Sequence, residues 1–484
     1  MGRWFDFRAY GLVAVAMFSG CTGRGKVQVS SDIRLDHVGD PDSADSAGTR
    51  MCVTPAGAIY VVWQDDRDAS SGVWLNSSAD GGITWRSDDV RVNHGDGRVF
   101  EPDVGCSDQG VFVVWEDDRD SVIENHNIYY NRSWDGGDTW LDADVLVEDD
   151  PQGASMSLGA RVVADGVKVY ITWFEAFRGG YDIIATASHD GEAFYPQVRL
   201  DSGAPGAAYS AWPQIRSDGA GHVYVVWEDS RDGNSDIYFA ASYDDGFTFE
   251  PDVRVDGGDQ PGQFNSFSPR FDADGSRIYV VWSDDRNGDK RDILMNWSPN
   301  RGVTWQPNAV RVDSDAVGFH ESRYPDVIVR DGTAYFAWED ARTGAGYDIY
   351  FRTAMDSAFG APEVRLDTDA EGANNSLMPR VAVDGSQVAV LWQERRYDSE
   401  SLGYNDLYYN FSTDGGTSFE RDDLRLDNMT PGRSFKVDVE VALRGGDVLA
   451  SWTDGRSGTA DVYFHRLALG DEGEFILVDA PRSE

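Results

Sequence analysis

One short unit, Trp-x-acid-x-Arg at the end of a β-branched run, limits what this chain can fold into more than any other feature. It reads Val61-Val62-Trp63-Gln64-Asp65-Asp66-Arg67 at its first occurrence and Val113-Val114-Trp115-Glu116-Asp117-Asp118-Arg119 at its second. It returns around Trp227, Trp282, Trp338, Trp392 and Trp452, and a shifted form, Trp173-Phe174-Glu175-Ala176-Phe177-Arg178, fills the remaining place. The eight copies stand 52, 58, 54, 55, 56, 54 and 60 residues apart. A steady period of this length belongs to repeat architectures. By length alone, 484 residues suggest about three domains; the period favours one closed array instead.

Each repeat reads as four short strands. In the fourth copy, Pro213-Gln214-Ile215-Arg216 is a first strand, residues 222–227 a second and Asp236-Ile237-Tyr238-Phe239-Ala240 a third. A fourth ends near Val253-Arg254-Val255-Asp256. Gly, Asp and Ser clusters separate them, and no segment with a 3.6-residue period competes. Four strands per unit of roughly 50 residues predict an all-β propeller of four-stranded blades, eight by count, with seven as the alternative. Ser31-Asp32-Ile33-Arg34-Leu35-Asp36 looks like a fourth strand without its blade, able to close the ring beside residues 461–467. Phe475-Ile476-Leu477-Val478 competes for that place, and both stay open.

A second repeat lies in the turn before each fourth strand. It reads Ser78-Ala79-Asp80-Gly81-Gly82-Ile83-Thr84-Trp85 and Ser133-Trp134-Asp135-Gly136-Gly137-Asp138-Thr139-Trp140. Further copies start at Ser242, Ser298 and Ser412, and a degraded one at Ser188. This motif resembles the Asp box of the sialidase-like (BNR-repeat) propellers. The resemblance covers most of residues 31–470 and implies a fold rather than an activity. In that family the box lies away from the active face. Here its Asp suits turn amides and its Gly a positive φ.

The N-terminus reads separately. Arg3 and Arg8 precede a short apolar stretch, residues 9–18, that ends in Phe18-Ser19-Gly20-Cys21. The pattern is similar to a bacterial lipobox and implies a lipoprotein signal peptide over 1–20 and lipidation of Cys21. Residues 21–30 are then a lipidated tether and 31–480 a single propeller domain. The expected location is the outer membrane or cell surface, with a periplasmic or secreted protein as the alternative. Contact with the membrane is through the lipid anchor alone. Cys52 and Cys106 remain at matching places in the first two repeats, either as buried thiols or as a disulfide.

The formal net charge is −42, which repels nucleic acid and anionic membranes. Calcium binding is one reading of that acidity, and no cofactor is assigned.

A residue present in every repeat serves the scaffold. The Arg of each Trp-x-acid-x-Arg unit is therefore expected to pair with its own acid, with a third-strand Asp such as Asp236 sharing the guanidinium. Ligand chemistry is expected where repeats differ, in the loops leading into each first strand. The candidates there are Tyr209 and Trp212, Phe264 and Asn265, then His320, Glu321, Arg323 and Tyr324, and Asn375. Aromatics beside Asn, Glu and Arg suit sugars. The primary expectation is a surface module that binds a glycan or a protein partner. A sialidase-type glycoside hydrolase and a purely structural protein are the alternatives. The resemblance implies three arginines, a Tyr–Glu pair and an Asp for an active sialidase. The family's Phe/Tyr-Arg-Ile-Pro motif is missing; Ser322-Arg323-Tyr324-Pro325 is the nearest approach.

Overall fold

The computed structural model describes residues 32–37, 44–67, 71–120, 125–149, 155–177, 179–344, 346–398, 403–469 and 475–476. The signal segment, Cys21 and the tether lie outside these residues, as does Arg178. The described chain forms eight antiparallel sheets in sequence order, with no helix. This is an eight-bladed β-propeller.

Each blade runs from the axis outward. Blade four shows the pattern: Ser210–Ser217 is innermost, then Val223–Asp229, Asp236–Ser242 and the short Val253–Arg254. The outermost strand has two residues, which pair with Tyr238 and Phe239 in the middle of the third strand. The second strands are apolar on both faces, since each blade is covered on both sides. Their tryptophans, from Trp63 to Trp452, are fully buried. Eight apolar clusters result, and each joins two neighbouring blades. Cutting one such Trp to Ala is expected to cost on the order of 3–5 kcal/mol.

The ring closes through the N-terminal strand. Ile33 pairs with Phe464 and Arg34 with Tyr463, so Ile33–Arg34 is the fourth strand of blade eight. Phe475–Ile476 pairs further along the same third strand, at Leu469 and Ala468. The two closing candidates therefore occupy different stretches of one long strand, and Leu35, Ile59, Trp63 and Phe464 seal the seam between blades eight and one. Cys52 and Cys106 form a disulfide that links the first strands of blades one and two, with Cα atoms 6.0 Å apart.

The scaffold ion pairs differ in one respect from expectation. Each described loop Arg does grip its own acid: Arg67 meets Asp65 at 2.6 Å, Arg286 meets Asp284 at 2.6 Å and Arg396 meets Glu394 at 2.9 Å. That acid also accepts from the Trp indole, as Asp284 does from Trp282 at 2.8 Å. The second partner, however, is in most blades the acid preceding the fourth strand, such as Asp89, Asp252 or Asp423, and not the third-strand Asp; Arg286 instead donates to the Asp256 and Gly257 carbonyls at 2.7 and 2.9 Å. The guanidinium reaches that acid by lying over a third-strand ring, as Arg231 does over Tyr238 at 4.0 Å. The third-strand Asp instead takes the fourth-strand Arg beside it, as in Arg254–Asp236 at 3.1 Å and Arg425–Asp406 at 3.1 Å.

The Ser-x-Asp-x-Gly turns sit at the opposite face. Asp80 accepts from the Thr84 amide at 2.8 Å and hydroxyl at 2.7 Å, and Gly82 donates to the Ser78 hydroxyl at 2.8 Å. The copies at Asp135, Asp244, Asn300 and Asp414 repeat this geometry.

Candidate functional site at the channel mouth

Every first strand enters the channel through the same irregularity. The ladder to the second strand breaks for two residues, for example between Ala211 and Gln214 and between Arg323 and Asp326. This is a β-bulge. Its first unpaired residue lies in the left-handed region in every blade: Gly48, Glu101, Gly159, Trp212, Ser268, Tyr324, Met378 and Asp438, with φ from 45° to 65°. Glycine adopts that conformation freely, whereas other residues are strained by on the order of 1 kcal/mol each. Proline follows in five blades, at Pro102, Pro213, Pro269, Pro325 and Pro379, and is tolerated because the bulge removes it from the ladder. Pro325 therefore belongs to the repeat, and Ser322-Arg323-Tyr324-Pro325 is no separate motif.

Six blades thus keep a side chain where the backbone favours glycine. Three of the six are large apolar or aromatic side chains open to solvent: Trp212, Tyr324 and Met378. Trp212 and its neighbour Tyr209 are both 60% exposed. They cap a short aromatic stack in which Trp212 lies 5.3 Å from Phe174, Phe174 5.2 Å from Tyr181, and Tyr181 5.4 Å from Tyr209. Rings held at one edge and bare at the other offer an apolar face to a ligand.

The sector formed by blades five to seven is different in character. Arg323 stands one residue before the bulge, where the other blades carry Ala47, Phe100, Leu158, Ala211, Phe267, Leu377 and Val437. It is the one charged residue at that register. Its cross-strand neighbour is Glu339, whose carboxyl lies 3.4 Å from the guanidinium. The guanidinium also lies over Tyr347 at 4.1 Å and Tyr324 at 5.1 Å. Arg291 pairs with Glu321 alongside.

Glu339 has a special position. Residues at its register in blades one, two and four cap the bulge amide of the next blade. Gln64 accepts from Glu101 at 3.1 Å, Glu116 from Gly159 at 2.8 Å and Glu228 from Ser268 at 2.7 Å. Glu339 is 0% exposed and neither of its oxygens has a hydrogen bond. Burial pushes its carboxyl up to about 8, against the pull of Arg323, Arg291 and Arg395. Nothing in the sequence singles it out, because Trp338-Glu339-Asp340 repeats Trp115-Glu116-Asp117 and Trp227-Glu228-Asp229.

The structure sorts the sequence candidates accordingly. Glu321, Arg323 and Tyr324 converge with Glu339 and Tyr347. Asn375 joins them by accepting the Tyr347 amide at 3.3 Å. Tyr209 and Trp212 form the aromatic platform. His320 turns aside to Asp315 at 2.8 Å and packs edge-on against Phe319. Asn265 is committed to Asp285, from its side-chain nitrogen at 2.8 Å and its amide at 2.7 Å. Phe264 is partly buried beside it. Two acidic groups, Asp292 with Asp313 and Asp315, and Asp348 with Asp367 and Asp369, bring carboxylate oxygens within 4.8 Å of one another. In each, an arginine nitrogen takes the central place: Arg311 lies 3.1 Å from Asp292, and Arg365 3.0 Å from Asp348 and 2.8 Å from Asp369.

No protein-family model matches the chain, and no curated protein does. Among solved structures it is similar to an ulvan lyase of polysaccharide lyase family 25, with a TM-score of 0.47 and 12% identity over 90% of this chain and 96% of that one. A sialidase from Streptococcus pneumoniae is similar with a TM-score of 0.38 and 11% identity, over 77% of this chain and 68% of that one. An α-L-arabinofuranosidase of Fusarium graminearum follows with a TM-score of 0.37 and 16% identity, over 53% of this chain and 79% of that one. At these levels the resemblance is one of blade architecture, and the functional reading rests on the residues at the mouth.

Proposed function

We propose that this chain is an exported, lipid-anchored propeller of the sialidase-like, Asp-box type, whose channel mouth binds a glycan at the cell surface. The observation that carries the reading is the set of large exposed side chains, Trp212 and Tyr324 foremost, held at a left-handed position that glycine fills in blades one and three. Strained backbone is retained where a side chain serves a purpose beyond the scaffold. Sugar rings present C–H faces that stack on aromatic rings, and their hydroxyls exchange hydrogen bonds with nearby Asn, Glu and Arg side chains. The Tyr209–Trp212 platform supplies the first, and Glu321, Arg323 and Tyr324 supply the second.

The test is a glycan array with the soluble propeller, followed by titration calorimetry on the glycans retained. Trp212→Gly is expected to weaken binding at least tenfold without loss of stability. Retention of no glycan, or equal binding by the variant, would return the mouth to a purely structural role.

A glycoside hydrolase of sialidase type has one observation in its favour, the proton-retaining Glu339 beside Arg323 and Tyr347. Against it, every described arginine of the Trp-x-acid-x-Arg loops is bound by its own acid, so these loops leave no clamp for a substrate carboxylate. Glu339 is also sealed from solvent. Hydrolysis of a fluorogenic sialoside that disappears in Arg323→Ala would establish the enzymatic reading over the binding one.

A further inference from the structure

Below the bulge, each first strand places one side chain at the same register around the channel, a cavity of about 600 Å³. Blades one, three, five and seven contribute Arg50, Arg161, Arg270 and Arg380. The blades between them contribute Asp103, Gln214, Asp326 and Glu440. The ring alternates arginine with acid, except that Gln214 stands where a fourth carboxylate belongs. In a chain of net charge −42, this ring carries one excess positive charge.

The excess is localised. Arg50 has acids on both sides, Glu440 at 3.7 Å and Asp103 at 4.0 Å. Asp103 and Asp326 each commit an oxygen to a backbone amide of the following blade, Val162 at 2.9 Å and Val381 at 2.8 Å. Among the described residues, Arg161, Arg270 and Arg380 have no carboxylate within ion-pair distance, but Arg380 stands between the acids Asp326 and Glu440 in the ring, whereas Arg161 and Arg270 flank the uncharged Gln214. Arg161 donates to the Ala160 carbonyl at 2.8 Å, and Arg270 to the Gln214 side-chain oxygen at 3.0 Å. That bond fixes the amide so that its NH2 group, a pure donor, remains for another acceptor. Burial lowers the proton affinity of Arg161, and burial with the neighbouring Arg380 brings Arg270 down to about 10. An uncompensated charge withdrawn from water is costly, and a counter-ion removes that cost.

We propose that the sector formed by Arg161, Gln214 and Arg270 binds one small oxyanion of the sulfate or phosphate kind inside the channel. Two guanidinium groups flank the place, each able to offer paired N–H donors that match such an anion, and the Gln214 amide adds a third set. A fourth carboxylate would have neutralised the ring, and glutamine of the same shape leaves the vacancy of charge that the anion fills. The site is separate from the rings of the mouth and does not depend on glycan binding.

The experiment follows thermal unfolding and calorimetry of the propeller with sodium sulfate and sodium phosphate, against sodium chloride at matched ionic strength. The wild type is expected to show a saturable rise in Tm with either oxyanion that chloride does not reproduce. Gln214→Glu, which completes the alternation, is expected to bind sulfate at least tenfold more weakly. It is also expected to be no less stable than the wild type when sulfate is absent. An equal effect of chloride on the wild type would overturn the proposal without any variant. An unchanged sulfate response in Gln214→Glu would overturn the placement at this sector.

Discussion

On the face of the Ser-x-Asp-x-Gly turns, Gly82, Gly137, Gly246, Gly302 and Gly416 stand at φ between 79° and 91°. At the channel mouth a positive φ is likewise demanded eight times, and six of the positions hold Glu101, Trp212, Ser268, Tyr324, Met378 and Asp438. The turn glycines are dictated by conformation and space together. A Cβ on Gly302 would lie 2.3 Å from the Phe239 ring, and one on Gly82 2.6 Å from Phe464. At the mouth Trp212, Tyr324 and Met378 are exposed and Ser268 and Asp438 half-buried, so the scaffold tolerates them at a cost in backbone strain, whereas Gly159 is held by space as well, a Cβ there lying 2.5 Å from the Phe174 ring. Where only geometry matters the chain uses glycine. Where it keeps a strained tryptophan or tyrosine, something other than the fold is being served.

The largest effect that probes this contrast is expected at Glu339. Its carboxyl value in the folded chain, about 8, lies above the ordinary 4.5. The native chain therefore holds a proton that the unfolded chain has released between these values. Stability falls as pH rises through that window and is lowest above it. Glu339→Gln is expected to match the parent near pH 4 and exceed it by roughly 3–5 kcal/mol above pH 8, read from unfolding curves against pH. A parallel pH dependence in the two proteins would show that Glu339 is an ordinary member of its register, like Glu116.

On the opposite face, Gly302→Ala is expected to destabilise by about 2–4 kcal/mol, from a new methyl against Phe239 and a strained backbone together. The matching change at the mouth runs the other way. Ser268→Gly is expected to leave stability between unchanged and about 1 kcal/mol higher, because relief of strain opposes the entropy that glycine adds to the unfolded chain. Equal losses at both positions would erase the distinction between the two faces.

The smallest effect concerns the turn carboxylates. Against the opposing influence of burial, the Thr139 hydroxyl and amide and the Ser133 hydroxyl hold Asp135 down to about 2. The stability this gives is present above the ordinary 3.8 and is lost as pH falls through about 2. Asp135→Asn is expected to lower Tm slightly at neutral pH and to converge with the parent in strong acid.

Blade number, strand order and the scaffold role of the loop arginines were legible in the sequence because each repeats at a fixed phase. Closure was not, because Ile33–Arg34 and Phe475–Ile476 suit the same long strand and only register separates them. The third-strand Asp takes the fourth-strand guanidinium and not the loop one, a pairing that the repeated Val-Arg-Val-Asp and Val-Arg-Leu-Asp place beside it. Of the site, Arg323, Tyr324, Tyr209 and Trp212 were found as aromatic or charged departures in variable loops. The channel ring is hidden in the sequence. Its signal is the position two residues after the left-handed bulge residue, where arginine alternates from blade to blade with Asp103, Gln214, Asp326 and Glu440. A search for residues common to all copies discards such a position, since its period is two blades.

Trp212 and Tyr324, the two exposed aromatics in glycine's place, are the residues on which the proposed glycan binding rests. The decisive measurement is glycan affinity and Tm of the parent beside Trp212→Gly, Tyr324→Gly and the double variant. The expected result is a Tm equal to or above that of the parent with binding weakened at least tenfold in each single variant and lost in the double. A fall in Tm with unchanged glycan affinity would contradict it, and would make Trp212 and Tyr324 parts of the scaffold after all.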